Sequence, residues 1–170
     1  MKDYRLALDI GAHVGQWSRV MAMDFQRVEA FEPVTLYREC WLKNLEGVEN
    51  ASCKPVALGE KSQLVSLENV TPGSYGDTRV TYGSDTTMWT LDSFGFEEVD
   101  FIKIDCEGYE RSVLEGARET LMECRPTMVV EQKKGHGAHF GYGDTAAVDF
   151  LEELGAEVRE VISGDYILSW

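Results

Sequence analysis

Basic side chains are scarce for the acid content of this chain. Sixteen Lys and Arg stand against 30 Asp and Glu, a net charge of −14 at pH 7. That balance argues against nucleic acid as a partner, because affinity for a phosphate backbone rests on Lys and Arg. Long apolar runs are missing too, and none approaches the ~20 residues of a membrane span. The start, MKDYRLALDI, puts charges where a secretory signal needs an apolar core. Cysteine is sparse: Cys40, Cys53, Cys106 and Cys124 form no C-x-x-C pair. Neither a zinc site nor a disulfide framework is indicated. They read as reduced, mostly buried thiols of a cytoplasmic protein. There are no repeats and no composition break. Residues 1–170 are expected to form one domain without an extra cap, long enough for a sizeable core.

What is present begins with Arg5–Gly15, RLALDIGAHVG. Leu6, Ala7, Leu8 and Ile10 form a short apolar run closed by Gly11, which predicts a strand buried on both faces. Gly11, Ala12 and Gly15 give a tight turn, and a helix opens at Gln16. Glycines there let backbone N–H groups approach a ligand, and the helix N-terminus adds positive charge. Trp17, Val20, Met21 and Met23 read as the core face of that helix. The spacing G-x-x-x-G lacks the middle glycine of G-x-G-x-x-G, which counts against a nicotinamide-dependent oxidoreductase.

Val28–Pro33, VEAFEP, predicts a second strand. Glu32 follows the glycine turn at about the distance where an acid accepts hydrogen bonds from ribose hydroxyls. Its two acceptor-only oxygens suit a vicinal diol. Thr35–Leu45 reads as a helix with Leu36, Cys40 and Leu42 at helical spacing. Ala51–Leu58 reads as one strand, and Gln63–Val70 as an exposed antiparallel one. Thr71–Thr87 is polar and glycine-rich and reads as a long loop, with a short strand at 78–82.

Val99–Ile104 is a buried strand that runs into Asp105-Cys106-Glu107-Gly108 and a helix over Tyr109–Cys124. Two acids thus stand at a strand's carboxyl end, the ligand edge of open α/β sheets. Lys103, mid-strand, needs an acidic or polar partner if buried. Thr127–Glu131 is another buried strand. Lys133–Gly143, KKGHGAHFGYG, follows as a loop beyond it, with Phe140 and Tyr142 available as apolar faces. His136 and His139 lack companions for a metal site. Thr145–Leu154 is an amphipathic helix, and Val158–Ile162 with Tyr166–Trp170 makes a hairpin across Ser163-Gly164-Asp165. Alternating strands and helices predict a doubly wound, mostly parallel sheet with an antiparallel ending.

Four segments, in order, resemble the FkbM family of class I S-adenosylmethionine-dependent methyltransferases. They are LDIGAHVG at 8–15, VEAFEP at 28–33, PVALGEK at 55–61 and DFIKIDCEGYERSVLEGA at 100–117. The resemblance implies a Rossmann-like, seven-stranded sheet whose last strand is antiparallel. It implies an O-methyltransferase acting on hydroxyls of sugars, lipids or other small molecules, with S-adenosylhomocysteine as the cofactor product. Asp9, Gly11, Ala12, His13 and Gly15 would surround the methionine part of the cofactor, with His13 in a slot often filled by Asn. Glu32, beside Pro33, would hold the ribose, and Val56 and Ala57 would pass the adenine. Asp105 and Glu107 would face the methyl-transfer site. A hydroxyl acceptor must lose its proton, and Asp105 is the first candidate base, before Glu107 and His136. A divalent metal would serve the same step, but no full ligand set stands in the sequence. Rival readings are a non-catalytic domain that still binds the cofactor and one that keeps the fold only to bind a partner, which need not keep the site acids. The intact Asp9, Glu32 and Asp105 count against the latter. Acceptor identity and oligomeric state have no signature here.

Overall fold

The computed structural model describes residues 4–69 and 78–170. In chain order the strands are β1 Leu6–Ile10, β2 Arg27–Phe31, β3 Ala51–Lys54, β4 Ala57–Leu58, β5 Gln63–Asn69, β6 Thr78–Trp89, β7 Val99–Ile104, β8 Thr127–Glu131, β9 Glu157–Ile162 and β10 Asp165–Ser169. The helices are α1 Gln16–Asp24, α2 Thr35–Asn44, α3 Glu110–Glu115, α4 Arg118–Cys124 and α5 Ala146–Glu153. Seven strands form one sheet in the order β3-β2-β1-β7-β8-β10-β9. Its first five strands run parallel, and β10 lies antiparallel to both β8 and β9. This is the mostly parallel sheet with an antiparallel ending that the alternation of elements predicts, with the seven strands that the resemblance implies.

Strand period 2 sorts the core. Leu6, Leu8 and Ile10 join Ile102, Ile104, Val113, Leu114 and Leu151 in a cluster on one face of the sheet. Ala7 and Val28 meet Met21 of α1 in a second cluster, and Ala30 meets Trp41 of α2 in a third. Both faces of β1 are therefore covered, as its unbroken apolar run requires.

Several elements differ from expectation for local reasons. The 51–58 segment splits at Pro55, which has no N–H for a ladder. Ala57–Leu58 leaves the main sheet and pairs with Met88–Trp89 in a second sheet of order β4-β6-β5. The supposed loop at 71–87 holds most of a twelve-residue strand, Thr78–Trp89, paired antiparallel with β5. Its Thr, Val and Tyr residues favour strands, and the Gly and Ser content masked that. The part of that reading at 71–77 lies outside the described residues. The helix expected over 109–124 breaks at Gly116, where a Cβ would sit 2.0 Å from the Gly59 carbonyl oxygen.

On α1, Met21 is buried, but Trp17, Val20 and Met23 are exposed rather than core. On α2, Tyr37 and Trp41 face inward, while Leu36 and Leu42 face out. The four thiols are unpaired, and none is fully buried.

Candidate functional site

A cleft of roughly 350 Å³ opens at the carboxyl ends of β1, β2 and β7. Its walls are the Gly11–Val14 turn, Glu32–Val34, Tyr37, Val56–Leu58, the β5–β6 hairpin and the Asp105–Glu107 turn, with Lys103 and Lys133. The volume lies within the range of small-molecule sites.

The glycine turn works differently from expectation. Gly11 adopts φ +79°, and a Cβ there would lie 1.9 Å from the Asp105 carbonyl oxygen. Only glycine lets the ends of β1 and β7 close together. The N–H groups are not left for a ligand: Gly11 and Ala12 both donate to the Phe31 carbonyl, and Gly15 donates to that of Ala12. Gly11, Ala12 and His13 line the cleft, whereas Asp9 and Gly15 do not. Gly15 lies against α2, with a Cβ position 2.6 Å from atoms of both Leu45 and Trp41.

Asp9 is buried beneath the turn. The Trp41 indole N–H donates to Ser18 Oγ at 2.8 Å, and the Ser18 hydroxyl donates to Asp9 Oδ2. This chain ties β1, α1 and α2 together. Burial pushes the Asp9 carboxyl up to about 6, against the Ser18 hydrogen bond and the nearby Lys103 charge.

Glu32 lies at the end of β2 and lines the cleft. Its Oε2 accepts the His13 N–H at 2.9 Å and its Oε1 accepts the Val34 N–H at 2.8 Å. Burial raises its carboxyl above the ordinary value, and the two backbone donors work against the shift. The group is fixed from both sides and keeps a free lone-pair direction on each oxygen.

Val56 and Ala57 line the far end. Facing them are Leu67, Thr78 and Val80 from the β5–β6 hairpin, which sequence reading did not place at the site. The Tyr37 hydroxyl lies 3.2 Å from Thr78 Oγ1, and the His13 and Tyr37 rings meet edge-on at 4.3 Å. The alternation T-R-V-T-Y at 78–82 was the available signal.

At the opposite end the charges gather. Lys103 is 3% exposed, with Nζ 3.5 Å from Asp105 Oδ2 and over the Trp17 ring at 5.7 Å. It has the acidic partner that its burial requires. Lys133 Nζ reaches Glu131 Oε2 at 2.7 Å and Glu107 Oε1 at 3.1 Å. His136 Nδ1 lies 3.0 Å from Glu107 Oε2, so His136 reaches the site only through Glu107. Burial would raise the Asp105 carboxyl, but Glu131 and the Lys103 and Lys133 charges hold it below the ordinary range. Burial and the Asp105 contact push Glu131 up to about 7, with Lys133 opposing. Buried Glu110 fixes the turn by accepting the Cys106 and Gly108 N–H groups at 2.8 and 3.0 Å. Neither Glu110 nor Glu131 stood out in the sequence.

The 133–143 loop is clamped rather than free. A Cβ on Gly108 would lie 2.5 Å from the His136 carbonyl carbon and oxygen. Phe140 packs against Tyr109, and the Tyr142 hydroxyl lies 2.8 Å from Ser112 Oγ. Both rings turn inward, so neither is an acceptor platform; the cleft rim here is Glu107 and Lys133.

The methyltransferase FkbM domain matches residues 9–158. The chain belongs to this family. S-adenosylmethionine is therefore its cofactor. No curated protein sequence matches this FkbM chain. Its fold resembles that of methyltransferase FkbM from Methylobacillus flagellatus, at TM-score 0.63 and 19% identity over 99% of this chain. The match spans 44% of that protein's length. Precorrin-6y C5,15-methyltransferase from Geobacter metallireducens is similar at TM-score 0.60 and 18% identity, over 100% of this chain and 81% of that one. Aeropyrum pernix fibrillarin, solved with natively bound S-adenosyl-L-methionine, follows at TM-score 0.55 and 13% identity, over 99% and 66%.

The residues of the FkbM cleft fit that cofactor by donor chemistry. An apolar end, a central carboxylate with open lone pairs and a polar end match adenine, ribose and amino acid in turn. They fit a divalent metal poorly. Asp105, Glu107 and Glu131 offer oxygens within 4.8 Å of one another, but Lys133 already occupies two of these carboxylates and Lys103 the third. No helix among the described residues is long and apolar enough to cross a membrane.

Proposed function

We propose that this chain transfers the methyl group of S-adenosylmethionine to a hydroxyl oxygen of a small-molecule acceptor. The observation that carries the reading is one cleft holding both the doubly clamped Glu32 and the Asp105–Glu107 turn. Glu32 binds the ribose diol with the free lone pairs of its two oxygens. Val56, Ala57, Leu67 and Val80 exclude water around the adenine. The bound cofactor supplies an activated methyl group on a sulfonium leaving group, so the protein's work is positioning.

Asp105 accepts the hydrogen bond of the acceptor hydroxyl and aims its oxygen at the methyl carbon. Lys103 keeps Asp105 ionised for that task, and Glu107 with Lys133 forms the rim that admits the acceptor. The net charge of −14 supports a small molecule over a nucleic acid. Four unpaired thiols support action in the reducing cytoplasm. The test is transfer of a labelled methyl group to a panel of hydroxylated small molecules.

A further inference from the structure

Asp105 follows β7 and Glu131 ends β8, adjacent parallel strands whose register pairs Ile104 with Val130. The register brings the two carboxyl groups to one edge, each with an oxygen within 4.8 Å of the other's. Carboxylates that close do not both ionise readily. The lysines are shared unequally. Lys103 is buried against Asp105, whereas Lys133 is 41% exposed and divided between Glu131 and Glu107. Asp105 Oδ1 is buried and receives no hydrogen bond from an N–H or hydroxyl among the described residues. The donor within reach is a proton carried by Glu131.

We propose that Asp105 and Glu131 form one proton-sharing pair, in which Glu131 holds the shared proton at rest and gives a proton up to water when Asp105 takes that of the acceptor hydroxyl. The inference rests on the methyl-transfer reading. In the transfer the acceptor oxygen bonds to the methyl carbon, and the carbon–sulfur bond breaks with its electron pair left on sulfur. The hydroxyl proton passes to Asp105, and Glu131, 21% exposed, releases its own proton to water, which leaves the pair again with one. Asp105 touches the acceptor; Glu131 acts through Asp105 and is a positioning residue.

The charges around the pair are those of Lys103 on β7, Asp9 across on β1 and Glu107 and Glu110 beyond Asp105. Lys133 and His136 stand beyond β8, and Asp165 is the cross-strand partner of Glu131 on β10. The two carboxyls are driven in opposite directions, in keeping with the assignment: burial and Asp105 push Glu131 up, while Glu131 and the lysine charges hold Asp105 below the ordinary range. A shared proton in such a pair belongs to both groups.

The experiment is ¹³C NMR of side-chain carboxyls in the ligand-free chain, from pH 4 to 9. One glutamate carboxyl should titrate near 7 and vanish from the spectrum of Glu131→Gln. In Asp105→Asn its midpoint should fall, because the neighbouring carboxylate no longer opposes ionisation, while the part of the rise that burial causes remains. No glutamate carboxyl titrating above pH 6 in the unaltered chain would overturn the pair, as would an Asp105→Asn midpoint that does not move. The readout needs no cofactor or acceptor. Its failure therefore leaves the methyl-transfer reading standing, and failure of methyl transfer leaves the titration interpretable.

Discussion

Replacing Glu32 by Gln separates what this residue does for the fold from what it does for the ligand. Each carboxylate oxygen now accepts one backbone N–H, from His13 at 2.9 Å and from Val34 at 2.8 Å. Glutamine keeps the shape but has one acceptor oxygen, so its amide NH₂ must face the other N–H. One largely buried donor loses its partner, a cost of about 1–3 kcal/mol. The neutral amide escapes the desolvation that raises the Glu32 carboxyl, which offsets part of that cost. A net loss of about 1–2 kcal/mol lowers Tm by about 2–8 °C in a chain of this size. The ligand suffers separately. A ribose diol brings two hydroxyl donors, and the single amide oxygen already holds a backbone N–H. Losing one charge-assisted hydrogen bond costs about 1.5–3 kcal/mol, or about 10- to 150-fold in Kd. Calorimetric titration with S-adenosylmethionine, and separately with NAD, beside a thermal melt reads both effects. The unaltered chain should bind the former and not the latter. A lowered Tm with unchanged affinity would remove the ribose from Glu32. A lowered affinity with unchanged Tm would refute the backbone clamp.

Two further outcomes follow from buried geometry. Burial pushes the Asp9 carboxyl up to about 6, so the folded chain holds that proton more tightly than the unfolded chain. Its contribution to stability falls as pH rises from about 4 to 6 and is constant above, a swing on the order of 3 kcal/mol. Urea unfolding at pH 4, 5, 6 and 7 should show Asp9→Asn gaining on the unaltered chain across that window; parallel curves would contradict the assignment. Gly108 sits at φ +97° with its Cβ position 2.5 Å from the His136 carbonyl, so Gly108→Ala should cost at least about 2 kcal/mol and expose the 135–143 loop to proteolysis. Native stability with an unchanged cleavage pattern would mean that the loop is not clamped there.

The main sheet was legible because its signals are local. LALDI, VEAF, VDFIKI and TMVV are short apolar runs bounded by Gly, Pro or acids, and they became β1, β2, β7 and β8. Glu32 and Asp105 were legible as acids at strand ends. The rest depends on tertiary partners. Trp17 reads as core by helical spacing, yet it lies at the cleft mouth beside Lys103. The β6 strand was obscured by its polar residues, and what fixes it is its place between β4 and β5 in a small sheet. Glu131 looked like the polar end of a buried strand. Its chemistry arises only from the register that sets it beside Asp105. Asp9 looked like a cofactor ligand, but it accepts from Ser18 on α1, which in turn accepts from Trp41 on α2, and both lie later in the chain.

Transfer of a labelled methyl group from S-adenosylmethionine to a panel of hydroxylated small molecules tests the central claim most directly. The unaltered chain and Asp105→Asn are run side by side, with cofactor affinity measured for each. The account predicts O-methylated product from the unaltered chain, and turnover lower by about 10²-fold or more in the variant at near-native cofactor affinity. Label found only on nitrogen or carbon acceptors, or near-native turnover by the variant, would contradict it.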